Sequence, residues 1–335
     1  MRYLFELSKE HRTLPKSEIL SSLLAENIDY NILDTNEDIL LIKSNSSNDK
    51  ISNLANRLAL TFFVNEFMFS SGHSVDDIKK FETSKQLNRL GSIAIKYKNR
   101  SNTINSKPIV KTLAEVYTEG REVDLENPDI EIRGLITDSN LYVGSKIVEI
   151  NRSQFEERKV QNRPFFSPIS LHPKIARALV NLTSIKKDRV ILDPFCGTGG
   201  ILIEAGLMGI KVIGSDIEEK MIEGCKKTLE FYKIKNNKLY CSDISNIHNN
   251  IGKVDGIATD LPYGKSTTTK GEKMDQLYER AFRSMSDLLK QGGKAVVGLS
   301  NKNFISLGQK YFNLIEIHDL KVHRSLTRYF AVFQK

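Results

Sequence analysis

Arg189-Val190-Ile191-Leu192-Asp193-Pro194-Phe195-Cys196-Gly197-Thr198-Gly199-Gly200 joins a short apolar run to a glycine-rich loop. The run reads as a strand, and the loop as its exit into a helix from Gly200 to Met208. Gly197 and Gly199 permit a tight turn and let a ligand approach the backbone. The spacing is not GxGxxG and a GK[ST] element is absent, which weighs against dinucleotide and P-loop readings.

The same alternation continues outward from this loop. Strands are predicted at Lys211–Asp216, Lys238–Tyr240, Val254–Thr259 and Lys294–Leu299. Helices are predicted at Glu218–Phe231 and Gln276–Leu289, the second ended by Gly292-Gly293. Leu314–Val322 and Arg328–Phe333 suit a closing antiparallel pair. Upstream, Pro173 opens a helix with Ile175, Ala178, Leu179 and Leu182 on one side. The pattern predicts an α/β fold with an open, seven-stranded mixed sheet and right-handed crossovers.

Asp193, Asp216 and Asp243 each fall at or just after the C-terminal end of a predicted strand, where open sheets place ligands. Asp193 suits an ammonium group, Asp216 a ribose diol and Asp243 an adenine amino group. Helix capping and turn formation are the structural alternatives for Asp216 and Asp243. Together the three describe S-adenosylmethionine, with the methionyl part at the glycine loop. Phe195, Gly197, Gly199 and Ile217 complete the candidate cofactor contacts. Arg163, Phe165 and Phe166 precede the Pro173 helix and are placed to close over the cofactor, although Phe166 reads equally as core.

Asp260-Leu261-Pro262-Tyr263 ends the next strand and faces the same crevice. A nucleobase amino group has two N–H bonds. The Asp260 carboxylate can accept one and the Leu261 carbonyl the other, while Tyr263 stacks on the base and Pro262 stiffens the turn. These are the candidate catalytic residues for methyl transfer to an exocyclic nitrogen, with Asp260 also the proton acceptor. The spacing alone does not separate adenine from guanine. Either base must leave its stack to enter such a pocket. Ser266 to Gly271 reads as a substrate loop or an ordinary surface loop. His323 to Arg328 joins the last two strands, and Arg324 and Arg328 are candidates for phosphate contact or for a solvated basic turn.

The N-terminal part reads as α+β. Strands are expected at Tyr3–Leu7, Asp38–Ile42, Ser92–Lys98, Ile130–Ile136 and Asn140–Gly144. Helices are expected at Lys16–Ala25, Ile51–Phe69 and Lys111–Tyr117. A boundary is placed near residue 45. Polar residues from Asn151, then Pro164 and Pro168, mark a linker over 151–170.

Of 335 residues, 49 are Lys or Arg and 41 Asp or Glu, a net charge of +8 that mildly favours a nucleic-acid partner. No apolar run approaches the roughly 18 residues that span a bilayer, and Glu6, Lys9 and Glu10 interrupt any signal segment. A cytoplasmic protein without a membrane span is expected. Cys196, Cys225 and Cys241 lack metal or disulfide spacing, so no metal is expected.

The chain resembles the archaeal tRNA guanine-10 N2-methyltransferases and their eukaryotic relatives over nearly its whole length. The likeness rests on 193–200 and on Thr259 to Ser266. It is supported by Arg163 to Pro168, Leu171 to Asn181, His323 to Arg328 and the THUMP-like Val123 to Arg133. It implies a ferredoxin-like segment (1–45), a THUMP RNA-binding domain (46–150), a linker (151–170) and a Rossmann-like class I methyltransferase domain (171–335). It implies S-adenosylmethionine as cofactor and tRNA as partner, with Arg133 and Lys265 as further substrate contacts. N2-methylguanosine is the implied product, extended to N2,N2-dimethylguanosine in some archaeal members. The eukaryotic relatives use a small zinc-bearing activator; a monomer is otherwise expected. The usual proline between Asp and Pro-Tyr is Leu261 here. Alternatives are a tRNA guanosine-6 N2-methyltransferase, an adenine-N6 DNA or RNA methyltransferase, and a non-catalytic THUMP-type RNA-binding protein.

Overall fold

The computed structural model describes residues 1–81, 90–166, 170–263, 272–323 and 326–335. Its first half runs β1 (Arg2–Leu7), α1 (Leu14–Ala25), β2 (Asn31–Thr35), β3 (Ile39–Lys43), α2 (Asn48–Ala55), β4 (Thr61–Ser71), α3 (Val75–Lys79), β5 (Ile93–Asn99), α4 (Ser106–Thr118), β6 (Ile130–Ile136) and β7 (Leu141–Glu149). There follow α5 (Ser153–Glu157), α6 (Pro173–Leu182), β8 (Val190–Asp193), α7 (Gly200–Leu207), β9 (Lys211–Asp216), α8 (Glu219–Phe231), β10 (Asn237–Cys241), β11 (Val254–Asp260), α9 (Met274–Leu288), β12 (Leu289–Leu299), α10 (Ile305–Gln309), β13 (Asn313–His323) and β14 (Leu326–Gln334).

Met1–Glu10, Ile28–Asn56 and Thr61–Ile150 form one compact unit around a sheet of order β2-β3-β1-β4-β7-β6-β5. β1 pairs with β3 on one side and β4 on the other, so the boundary expected near residue 45 falls inside this sheet. The helix expected over 51–69 is corrected: it ends with α2, and β4 begins at Thr61. Phe62, Phe63, Val64, Phe67 and Phe69 suit a pleated surface, and β4 has partners on both flanks.

His11–Asn27, Arg57–Leu60 and Asn151–Lys335 form the second unit. Its sheet has the order β10-β9-β8-β11-β12-β14-β13. The first five strands are parallel and β14 runs antiparallel to both its neighbours, β12 and β13, the mixed seven-stranded arrangement expected. Ile191, Leu192, Ile257 and Ala258 are fully buried, as central parallel strands covered on both faces require. The chain winds from β8 toward β10 on one side and from β11 outward on the other, so a crevice opens where the direction switches. Gly292 and Gly293 do not cap α9. They lie within β12, where Lys335 pairs with both backbones and Gly292 holds φ +76°. The segment expected as a linker contributes α5, with Phe155 fully buried and Arg158 clasping Glu204 at 2.8 and 3.1 Å.

α1 belongs to this second unit, although its neighbours β1 and β2 belong to the first. Glu18 on α1 is fully buried and accepts hydrogen bonds from Ala59 N (3.0 Å), Leu60 N (2.9 Å) and the Asn181 amide on α6 (3.0 Å). Arg57 ties the same corner to the Ile185 carbonyl at 2.8 Å. Burial pushes Glu18 up to about 7, against the hydrogen bonds from Leu60, Asn181 and Ala59. The folded state therefore holds this proton more tightly than the unfolded chain. Stability from it is full below the ordinary pKa of 4.5 and is lost as pH rises toward about 7. Glu18→Ala strands three buried donors. It should lower stability by roughly 3 kcal/mol and flatten part of the decline between about pH 5 and 7, read by urea denaturation across pH.

Candidate active site

Asp193, Asp216 and Asp260 end the adjacent strands β8, β9 and β11, and Asp243 follows β10. All four line one cavity of about 500 Å³, together with Phe195, Gly197, Ile217, Leu261, Pro262 and Tyr263. The switch in strand order thus gathers residues separated by nearly seventy positions, as the strand-end pattern predicts.

Asp193 is 2% exposed and accepts hydrogen bonds from the Thr259 hydroxyl at 2.7 Å and from Phe195 N at 3.2 Å. Burial raises it to about 7, with the Asp216 and Asp260 charges adding to the rise. Asp216 accepts from Gly197 N and Glu218 N, both at 3.0 Å, and burial raises it as well. Its two contacts shape the glycine loop and still leave each oxygen a lone pair. Asp243 differs: burial pushes it up, but the Arg280 hydrogen bond at 2.5 Å and the Ser245 N–H bring it below its ordinary value. Arg280 also holds Glu272 through two contacts of 2.8 Å.

The loop geometry separates the two predicted glycines. Gly197 holds φ +48° and has open space where a side chain would stand, which suits ligand approach. Gly199 holds φ +84°, and a Cβ there would meet Cys225 Sγ at 2.7 Å. Gly199 therefore serves packing and is not among the cavity-lining residues.

Asp260 sits opposite Gly298 of β12, close enough that a Cβ on residue 298 would stand 2.2 Å from Asp260 Oδ1. The Tyr263 hydroxyl donates to that same Oδ1. On the other side, Arg328 Nη2 lies 3.5 Å from Oδ2. Burial raises Asp260, and the Arg328 charge and the Tyr263 hydroxyl oppose the rise. Leu261 donates its N–H to the Gly298 carbonyl at 3.0 Å, and its side chain is fully buried. A proline at 261 would have no such N–H, so leucine fixes the turn by another route. The Tyr278 hydroxyl donates to the Pro262 carbonyl at 2.7 Å and holds the far end.

Other predicted residues lie elsewhere. Phe166 is 58% exposed and outside the cavity lining, whereas Phe165 packs on α8 against Gly224. Arg133 is in the first unit, its guanidinium over the Phe63 ring at 3.2 Å and paired with Glu131 at 2.8 Å and Glu6 at 3.5 Å. Lys265 and Arg324 lie outside the described residues. Arg328 is 7% exposed and faces Asp260, not the surface position expected of a phosphate contact. Arg280, Glu272, Thr259 and Tyr278 were not expected at the site. Thr259 lies in β11, Tyr278 and Arg280 on α9 and Glu272 just before it, and none of these positions carries a local signal that one chain can reveal.

Two family models match: an RMKL-like methyltransferase domain over residues 161–329, and a DNA methylase over residues 25–227. A tRNA (guanine(10)-N2)-dimethyltransferase of Methanothermobacter thermautotrophicus is 34% identical, with all of both chains covered. The chain belongs to the archaeal tRNA (guanine(10)-N2)-dimethyltransferase family. Another member, from Pyrococcus abyssi, is 38% identical over 89% of this chain and 90% of its own. The solved structure of TrmN from Thermus thermophilus covers both chains completely with a TM-score of 0.58. At 19% identity, that likeness speaks to the fold. In this chain the turn reads Asp260-Leu261-Pro262-Tyr263.

The close backing of Asp260 gives a direct check. Gly298→Ala must displace the carboxylate, and misplacement on the order of 1 Å costs about 100-fold in turnover. Methyl-transfer kinetics should show that loss, with cofactor affinity unchanged by calorimetry.

Proposed function

We propose that this chain transfers methyl from S-adenosylmethionine to N2 of guanosine at position 10 of tRNA, then repeats the transfer to give N2,N2-dimethylguanosine. The observation that carries the reading is the meeting of Asp193, Asp216, Asp243 and the Asp260–Tyr263 turn in one cavity. Its volume of about 500 Å³ suits a nucleoside-sized ligand with a target base beside it.

The residues fit the cofactor. Asp193 would receive the ammonium group, Asp216 the ribose hydroxyls, and Asp243 the adenine amino group, with Gly197 leaving room for the chain. Phe195 and Ile217 would line the apolar parts. When bound, S-adenosylmethionine supplies an electrophilic methyl group on a sulfonium.

The protein's task is to prepare the amine. The guanine N2 lone pair is delocalised into the ring and is a weak nucleophile. Asp260 and the Leu261 carbonyl would accept its two N–H bonds and favour a pyramidal nitrogen with a localised lone pair. Tyr263 would exchange its hydroxyl contact with Asp260 for stacking on the entering base. As the new N–C bond forms, Asp260 would accept the N2 proton and later release it to water. After one transfer, one N–H remains to be held for the second. The first unit, with Tyr97 and Lys98 exposed on its edge strand β5, is the proposed tRNA-holding part, corresponding to the THUMP region.

The DNA methylase match supports a second reading, transfer to adenine N6, which uses the same two acceptors. Nucleoside mass spectrometry with position mapping separates the readings. Purified chain without any added activating protein should convert tRNA guanosine-10 to its mono- and dimethyl forms, while Asp260→Ala yields neither and still binds tRNA. N6-methyladenosine, or methylation at position 6, would overturn the assignment.

Cofactor affinity should depend on pH. Asp193 must be ionised to meet an ammonium, so affinity rises as pH climbs through about 7. It falls again as the cofactor amine loses its proton near about 8. Calorimetric titration should give this bell, and Asp193→Asn should lack its acidic side.

A further inference from the structure

We propose that Arg328 is a positioning residue for methyl transfer, orienting Asp260 and Tyr263 toward the target amine instead of meeting a tRNA phosphate. The inference rests on the amine-methylation reading above.

Arg328 lies in β14, paired with Leu320 of β13 and next to Tyr329, which pairs with Leu299 of β12. This backbone is held on both sides, so the side chain starts from a rigid base. The residue is 7% exposed, which removes it from phosphate reach. Its Nη2 lies 3.5 Å from Asp260 Oδ2, and its Cζ lies 5.0 Å from the Tyr263 ring centroid. One guanidinium thus addresses both side chains of the amine-binding turn. Asp260 is divided accordingly, with Oδ1 taking the Tyr263 hydroxyl and Oδ2 facing the cation. When a base N–H replaces the tyrosine hydroxyl, Arg328 can keep the carboxylate from turning away.

The electrostatics agree with this geometry. The titratable and charged groups coupled to Asp260 are Arg328 on β14, Tyr263 on its own turn, Tyr278 on α9 and Asp193 on β8. Among these described neighbours, Arg328 is the cation. Burial raises the Asp260 carboxyl, and Arg328 opposes that rise. A protonated Asp260 would lose its ability to take the amine proton. Arg328 Nε is itself buried without a hydrogen-bond partner among the described residues. A folding role alone leaves that cost unexplained, whereas service to an ionised catalytic carboxylate accounts for keeping an arginine there.

The test compares wild type with Arg328→Met and Arg328→Lys on full-length tRNA. Turnover at saturation, tRNA affinity against salt, and the pH dependence of turnover are measured for each. For Arg328→Met, the expected result is turnover down about 100-fold. The acidic limb should move up by about 1 pH unit or more. tRNA affinity and its salt slope should stay at wild-type values. Arg328→Lys should recover the pH limb in part, because it restores charge without the planar fork. Weakened tRNA binding, with a salt slope lower by about 1 and saturated turnover intact, would establish a phosphate contact and overturn the proposal. If Arg328→Met fails to fold, Arg328→Lys decides by the same split, since a wild-type pH limb with lost tRNA affinity overturns it. Wild-type tRNA yielding no methylated amine would defeat the underlying reading. Active wild type with unaffected Arg328 variants would defeat this inference alone.

Discussion

Four carboxylates at the ends of neighbouring strands create the constraint that organises the second unit. Asp193, Asp216, Asp243 and Asp260 share one cavity, and low-dielectric walls make that concentration of negative charge unfavourable. The chain answers it unevenly. Arg280 neutralises Asp243, and Arg328 faces Asp260. Asp193 and Asp216 receive hydroxyl and backbone N–H donors but no arginine contact among the described residues. Burial raises both carboxyls, and no arginine among the described residues opposes that rise. A cationic ligand with an ammonium group and a sulfonium suits the half of the cavity left without an arginine.

The turn at Leu261 illustrates how one requirement can be met by different chemistry. In the proposed reaction, the target amine needs a carbonyl oxygen held still at residue 261. Proline would provide stiffness through its ring. Leucine provides it through an N–H bond to Gly298 and a fully buried side chain. Gly298 thereby has two tasks, accepting from Leu261 and leaving space for Asp260. The Tyr278 hydroxyl completes the frame from α9.

Much of this was legible in the sequence because its signals are local. Short apolar runs followed by Asp193, Asp216 and Asp260 announce parallel strands whose ends meet in one crevice. The Asp-Leu-Pro-Tyr turn announces a carboxylate and an aromatic side chain held close together, which the structure places in contact. Arg280 and Arg328 were different: an arginine reads as a surface or phosphate-binding residue unless the carboxylate opposite it is known. β4 was misread because a run of apolar and aromatic residues fits a helix or a doubly flanked strand, and its neighbours β1 and β7 decide the matter. Glu18 carries no local mark of burial, since a glutamate in a helix ordinarily faces water. Its partners are Ala59, Leu60 and Asn181, all far away in sequence.

The placement of α1 also bears on how the chain is made. The polypeptide passes five times between its two compact units, and His11–Asn27 and Arg57–Leu60 belong with the later one. During synthesis, Glu18 must wait for Asn181, 163 residues downstream, before its amide partner exists. Until then a helix meant for an interior, with the ionisable Glu18 on it, stays in solvent, and the apolar surface around Leu14, Ile19 and Leu23 has no α6 to cover it. Such distant pairing slows folding and lengthens exposure. At neutral pH an exposed Glu18 is ionised, so the group whose pKa burial raises to about 7 in the finished protein starts as a hydrated charge on the nascent chain.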